Sequence, residues 1–262
     1  MTTKAAKTRM PVVFAGHGSP MNAIDHTEFG DALAKLGAHL PRPKAILVVS
    51  AHWQTSGSQV VNVEKPQTIH DFYGFPEKLF KTEYPAPGSP ELAARIRELQ
   101  PAVKLTRAWG LDHGAWSVLI HLFPKADIPV LQLSLNELFT PVEHYAFAQG
   151  LKALRDEGVL ILASGNIVHN LRAVKWHGDP TPYDWSSGFD ENVKRALEAR
   201  DIEKLVSYET AWPDQAEMAA PTPEHYLPLL YTLGVTDATD KLSFPVEGYQ
   251  MAAISMRSAL WE

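Results

Sequence analysis

The chain of 262 residues contains no cysteine. That excludes disulfides and thiolate ligands, so any metal it holds must be bound through nitrogen and oxygen. Positive charge is not in excess either: 24 Lys and Arg stand against 30 Asp and Glu, a formal charge of −6. This argues against a nucleic-acid partner, because phosphate contacts need a basic surface. No apolar run approaches the ~20 residues of a membrane helix, and the polar, basic opening residues lack the apolar stretch of a signal peptide. We therefore expect no membrane partner and a cytoplasmic location. Residues 1–9 read as a short disordered lead and 10–262 as one domain, with no internal repeat, low-complexity tract or linker. A hydrophobic fraction of 45% is enough for a substantial core in a chain of this length.

Familiar nucleotide and hydrolase signatures are missing as well. Gly16-His17-Gly18-Ser19 suggests a dinucleotide fingerprint, but position 21 is Met where the third glycine belongs. There is no P-loop. There is no G-x-S-x-G nucleophile elbow, so a serine hydrolase is unsupported.

Strand-like and helix-like runs alternate along the chain. Apolar runs at 12–15, 45–50, 59–63, 103–106, 128–135 and 159–163 predict strands. Helical spacing or capping signals predict helices at 28–40, 89–99, 113–123, 141–157, 190–199, 202–208 and 222–233. In the last of these, Thr222 reads as the N-cap, Pro223 as the first turn and Gly234 as the stop. The tail, 242–246 and 251–256, reads as a closing hairpin or two strands. Such alternation predicts an α/β fold, a single domain with a mostly parallel central sheet flanked by helices. Ligands of such sheets bind beyond the carboxyl ends of the strands.

Histidines sit at those ends. His17 follows the first strand within Gly16-His17-Gly18, whose glycines permit close approach of backbone and ligand. His52 follows the second in Ser50-Ala51-His52-Trp53. His169 follows the run at 159–163 in Ser164-Gly165-Asn166-Ile167-Val168-His169-Asn170. Three strand-end imidazoles in a cysteine-free chain point to a divalent metal site. His225, read at the third position of the 222–233 helix, would feel the positive helix end, which favours the neutral imidazole that a metal requires. His113, beside Asp112 and between Trp109 and Trp116, reads either as an acid/base or as part of a capped helix start with Asp112 as the cap. His70-Asp71 and His177-Gly178-Asp179 are weaker candidates for the pocket wall. Trp53, Phe72, Tyr73 and Trp116 could clamp an aromatic ring or serve as core. His26, His39, His121 and His144 read as structural.

Five motifs taken together, Gly16-His17-Gly18-Ser19-Pro20-Met21-Asn22, Ser50-Ala51-His52-Trp53, Trp109-Gly110-Leu111-Asp112-His113-Gly114, Ser164 to Asn170, and Thr222-Pro223-Glu224-His225-Tyr226-Leu227-Pro228-Leu229, resemble the class III extradiol ring-cleavage dioxygenases, in their 4,5-DOPA dioxygenase branch. The resemblance covers the chain from about Met10 onward. It implies a single catalytic domain around one mononuclear non-haem metal, opening a small catechol such as L-DOPA with O2 to a ring-opened semialdehyde. It places His17, His52 and His225 at metal-ligand positions. His169 falls beside the metal, as fourth ligand or acid/base, and His113 at a pocket position that contacts substrate or oxygen. Many related enzymes use two histidines and a carboxylate; here the third position is His225, with Glu224 beside it. An all-imidazole site carries one negative charge fewer. We therefore expect Fe(II) in the active enzyme and Zn(II) in protein purified without care. A zinc-dependent hydrolase and a non-catalytic metal-binding relative are the alternative readings. The physiological catechol, the regiochemistry and the oligomeric state are left open by the sequence.

Overall fold

Ten strands and eleven helices are present in a computed structural model that describes residues 9–177 and 180–262. Most of the expected lead, and Gly178 and Asp179 of the weak candidate triplet, lie outside the described residues. The strands are β1 (Val12–Gly16), β2 (Ala45–Thr55), β3 (Gln59–Val61), β4 (Lys104–Thr106), β5 (Val130–Asn136), β6 (Val159–Gly165), β7 (Leu242–Val246), β8 (Tyr249–Gln250), β9 (Ile254–Ser255) and β10 (Ser258–Trp261). The helices are α1 (Glu28–His39), α2 (Glu77–Phe80), α3 (Pro90–Leu99), α4 (His113–Leu122), α5 (Pro141–Gln149), α6 (Ala153–Asp156), α7 (Asp184–Glu198), α8 (Ile202–Val206), α9 (Tyr208–Ala211), α10 (Pro213–Ala219) and α11 (Leu227–Val235).

Eight strands form one sheet in the order β4-β3-β5-β2-β6-β1-β10-β7. The central strands β5, β2, β6 and β1 run parallel, with Val48 opposite Leu162 and Val12 opposite Ile161. Period-two alternation sends Val12, Phe14, Leu47, Val49, Ile161 and Ala163 into one core layer. It sends Val13, Ala15, Ile46, Val48, Leu160 and Leu162 into the other. Both faces are covered, which is why these strands read as continuous apolar runs rather than alternating ones. Helices α1 and α4 pack on one side, and α5 and α11 on the other. The single-domain α/β fold with a mostly parallel sheet is as the sequence predicts. No helix among the described residues is long and apolar enough to cross a membrane.

Three expectations change in detail. The predicted 141–157 helix is two helices: Gly150 closes α5, and the Gln100 side chain donates to the Phe147 carbonyl at 2.6 Å, drawing it out of further helical pairing. The predicted 222–233 helix begins only at Leu227, because Thr222 donates its hydroxyl to the Glu224 carboxylate (2.8 Å) instead of capping backbone N–H groups. Gly234 lies inside its last turn. At the tail, β10 inserts antiparallel between β1 and β7, while β8 and β9 pair separately.

Candidate metal centre

Strands β2, β6 and β1 are adjacent and parallel, so their carboxyl ends deliver His52, His169 and His17 to one rim. His17 follows the last residue of β1. His52 lies within β2, where pairing with β5 is irregular between Val49 and Gln54. His225 arrives from the turn ahead of α11, not from a helix start. Its carbonyl accepts the Asn166 N–H at 2.9 Å, and the missing side chain of Gly165 leaves room for that close approach. The His225 position therefore owes its neutrality to burial and neighbouring imidazoles, not to a helix dipole.

The ligand nitrogens of His17, His52 and His225 lie within 4.8 Å of one another. His17 Nε2 and His52 Nε2 are 3.1 Å apart. Two imidazole nitrogens sharing one ion at about 2.0–2.1 Å stand roughly 3 Å apart, so this pair fits a common metal. His225 Nε2 is buried without any partner, an isolated lone pair that an ion would satisfy.

The hydrogen bonds behind these rings fix which nitrogen is free. Ser164 Oγ donates to the Gly114 carbonyl at 2.6 Å, so it accepts from His17 Nδ1–H at 3.0 Å. That leaves His17 Nε2 unprotonated. The Glu224 carboxylate, 3.2 Å from His225 Nδ1, does the same for His225. Orienting partners of this kind set the tautomer of metal-binding histidines. Burial, reinforced by the neighbouring imidazoles, holds His17 and His225 well below the ordinary imidazole pKa. Burial and the His113 ring bring His52 to about 3 against the pull of Asp71, and His169 to about 4. All four rings are neutral at pH 7 and carry lone pairs.

His169 stacks face to face on His225, with centroids 3.4 Å apart and planes 8° from parallel. With Glu224 and His225 it offers ligand atoms within 4.8 Å of one another, a second group beside that of His17, His52 and His225. His113 opens α4, where Asp112 is indeed the N-cap, accepting from Ala115 N at 3.1 Å. The capped-helix reading of this segment is observed, and the cap places His113 next to the imidazole cluster. The His113 ring lies 3.9 Å from that of His52. Asp71 reaches His113 twice: its Oδ1 accepts the backbone N–H at 2.9 Å, and its Oδ2 sits 3.0 Å from Nδ1, close but out of line for a hydrogen bond. Burial alone would raise the Asp71 carboxyl; the contacts with His113 and then His52 hold it below the usual carboxylate value. Asp112 is pushed the other way by burial and by Asp71. It is satisfied by Ser50 Oγ (2.8 Å) and Gln132 Nε2 (2.7 Å).

Of the weaker candidates, Asp71 joins the site and His70 does not: its Nε2 meets the Thr82 carbonyl at 2.9 Å. Phe72 packs edge-on to His113. Trp116 is core, donating to the Ile69 carbonyl, and Tyr73 is 92% exposed. Ser164, bonded to the His17 ring, is the residue of this cluster that sequence reasoning passed over; its place at the end of β6, beside Gly165, is the signal that could have found it.

The chain matches the family described as the catalytic LigB subunit of aromatic ring-opening dioxygenase over residues 10–259. It is 50% identical over 259 residues to an Escherichia coli (strain K12) protein named 4,5-DOPA dioxygenase extradiol, covering 97% of this chain and 95% of that one. It is 40% identical to a Beta vulgaris protein of the same name, covering 87% of each. The crystal structure of an uncharacterized Escherichia coli K12 protein superimposes with a TM-score of 0.85 at 47% identity, covering 96% of this chain and 99% of that one.

Proposed function

The chain belongs to the LigB family of aromatic ring-opening dioxygenases and is an extradiol ring-cleavage enzyme, and from that premise we propose that residues 10–262 act as one catalytic domain opening a small catechol, L-DOPA or a close analogue, with O2. His17, His52 and His225 hold one divalent metal in this reading. The observation that carries it is the convergence of three neutral imidazoles, one with a buried nitrogen that nothing in the protein satisfies. Fe(II), when bound, supplies open coordination positions and redox chemistry to catechol and O2, whereas Zn(II) fits the same nitrogens and has no redox chemistry.

The protein's own groups have separate tasks. His169, neutral and stacked on His225, presents a lone pair beside the centre and accepts a catechol hydroxyl proton. We assign it to proton transfer rather than coordination because it lies outside the group formed by His17, His52 and His225. His113, held by Asp71 and with its ring 3.9 Å from that of His52, contacts substrate or oxygen. Phe72 gives an apolar wall next to His113. Ser164 and Glu224 keep the metal-facing nitrogens free of protons.

The test is oxygen uptake by apo-protein reloaded anaerobically with Fe(II) or Zn(II) and then given L-DOPA or simple catechols. Uptake with a yellow ring-opened product in the iron form alone is expected. Equal uptake by the zinc form would contradict the reading; no uptake with either metal would favour a zinc-dependent hydrolase or a non-catalytic relative.

A further inference from the structure

The glycines on either side of His17 make room for the chain's own tail. A side chain at Gly16 would run into the Met256 backbone, and one at Gly18 would overlap the Gln250 carboxamide and the Met256 thioether. Gly18 also has a φ of +58°, a left-handed conformation that glycine adopts freely. Residues 249–256 therefore lie directly against the Gly16-His17-Gly18 turn.

The tail grips that turn through a closed set of hydrogen bonds. Gln250 Oε1 accepts from the Ser19 N–H at 3.0 Å and from Asn22 Nδ2–H at 3.2 Å, and Gln250 Nε2–H donates to Asn22 Oδ1 at 2.7 Å. Asn22 Nδ2 carries a second hydrogen, which goes to the His17 carbonyl at 3.1 Å. His121, on the helix that His113 opens, donates from Nε2 to the Asn22 carbonyl at 2.8 Å. Ser164 orients the His17 ring, whereas Gln250 and Asn22 hold the backbone that carries it.

The same stretch of tail also holds the His169 segment. Ser255 N–H donates to the Val168 carbonyl at 3.0 Å, Asn170 N–H to the Ala253 carbonyl at 3.1 Å, and Asn166 Nδ2–H to the Ser255 carbonyl at 2.8 Å. The buried Asp190 carboxylate anchors the stretch, accepting from the Ser255 hydroxyl at 2.5 Å, the Tyr249 hydroxyl at 3.1 Å and Arg257 Nη2 at 2.6 Å. Bonds to a charged acceptor are among the stronger ones, so the anchor is firm.

We propose that residues 249–256 are a strap that fixes His17 for metal binding, with Gln250 as the positioning residue, acting through Ser19 and Asn22. The proposal rests on the reading of His17 as a metal ligand. A ligand ring must be held within about 0.5 Å of its productive place. Without the Gln250–Asn22 clasp the His17 turn gains freedom that the metal must then remove, and the loss is read as affinity.

The test compares native protein, Gln250→Leu, Asn22→Ala and the double variant. Chelator competition reads Zn(II) affinity, and the visible absorption of Co(II)-loaded protein reads the geometry of the site. Partners standing behind metal-binding histidines are worth about 10–100-fold in affinity. Each single variant should bind Zn(II) about 10-fold more weakly and show an altered Co(II) spectrum. The double variant should lose little more than either single one, because both break the same clasp. A purely structural role predicts a lower Tm with native Zn(II) affinity and a native Co(II) spectrum. That result overturns the strap alone, as do losses that multiply in the double variant; Asn22→Ala carries the test where Gln250→Leu does not fold. Native protein that binds Zn(II) no better than His17→Ala overturns the ligand reading of His17 and the strap together.

Discussion

Ser164→Ala should damage both the fold and the metal centre although the side chain never faces a metal. The hydroxyl lies wholly buried at the end of β6, bridging His17 Nδ1 at 3.0 Å and the Gly114 carbonyl at 2.6 Å. Alanine fits the space but leaves the buried His17 Nδ1–H without a partner, while the Gly114 carbonyl keeps its bond within α4. One orphaned group costs about 1–3 kcal/mol. For a chain of this length a loss of 1 kcal/mol lowers Tm by about 2 °C, so the apo-protein should melt about 2–6 °C earlier. His17 also loses the acceptor that keeps its proton on Nδ1, so metal affinity should fall roughly 10–100-fold. Scanning calorimetry of apo-protein and a competitive chelator titration read the two effects separately. Native Tm and native metal affinity in Ser164→Ala would refute the tautomer argument and with it the assigned role of His17 Nε2.

Other expectations follow from the same geometry. In Gly165→Ala the new methyl group meets the His225 carbonyl, so the variant should lose about 1–3 kcal/mol and most of its metal, read by denaturant unfolding and metal content. His169→Ala and His113→Ala should each retain one metal per chain while kcat for catechol opening falls by about 10²–10⁴-fold; loss of metal in His169→Ala would make that residue a ligand. Away from the site, burial holds His144 at about 4, with its Nδ1 3.1 Å from the Tyr231 hydroxyl. Its stabilising contribution is fully present above the unfolded imidazole value near 6.5 and is lost as pH falls toward 4, up to about 3 kcal/mol. His144→Gln should therefore flatten the acid limb of stability between about pH 6.5 and 4, and an unchanged limb in urea titrations would contradict it.

Much of the site was legible in the sequence because parallel strands bring their carboxyl ends to one rim. His17, His52 and His169 each follow an apolar run, and the order β2-β6-β1 makes those runs neighbours. Sequence order could not reveal that adjacency by itself, nor that β10 would pair antiparallel with β1. His225 enters through the motif, and its setting differs from the expected helix start: Thr222 resembles a cap and instead binds Glu224, so a turn ahead of α11 presents the ring. Asp71 and Ser164 escaped a firm assignment for another reason. Each acts through a contact far away in sequence, to His113 and to His17, and no local periodicity encodes such a pair. At Gly150, where α5 ends, Gln100 from the end of α3 donates to the Phe147 carbonyl, a contact that local spacing does not encode.

The central claim is that three imidazoles, and no carboxylate, hold one divalent metal. Anaerobic titration of apo-protein with Fe(II) tests it most directly, run on the native protein and on His17→Ala, His52→Ala, His225→Ala and Glu224→Gln. The account predicts one iron per native chain, loss of high-affinity binding in each histidine variant, and one iron retained in Glu224→Gln with at most a 10–100-fold weaker affinity. Loss of iron in Glu224→Gln together with its retention in His225→Ala would contradict it, and would make the carboxylate the third ligand.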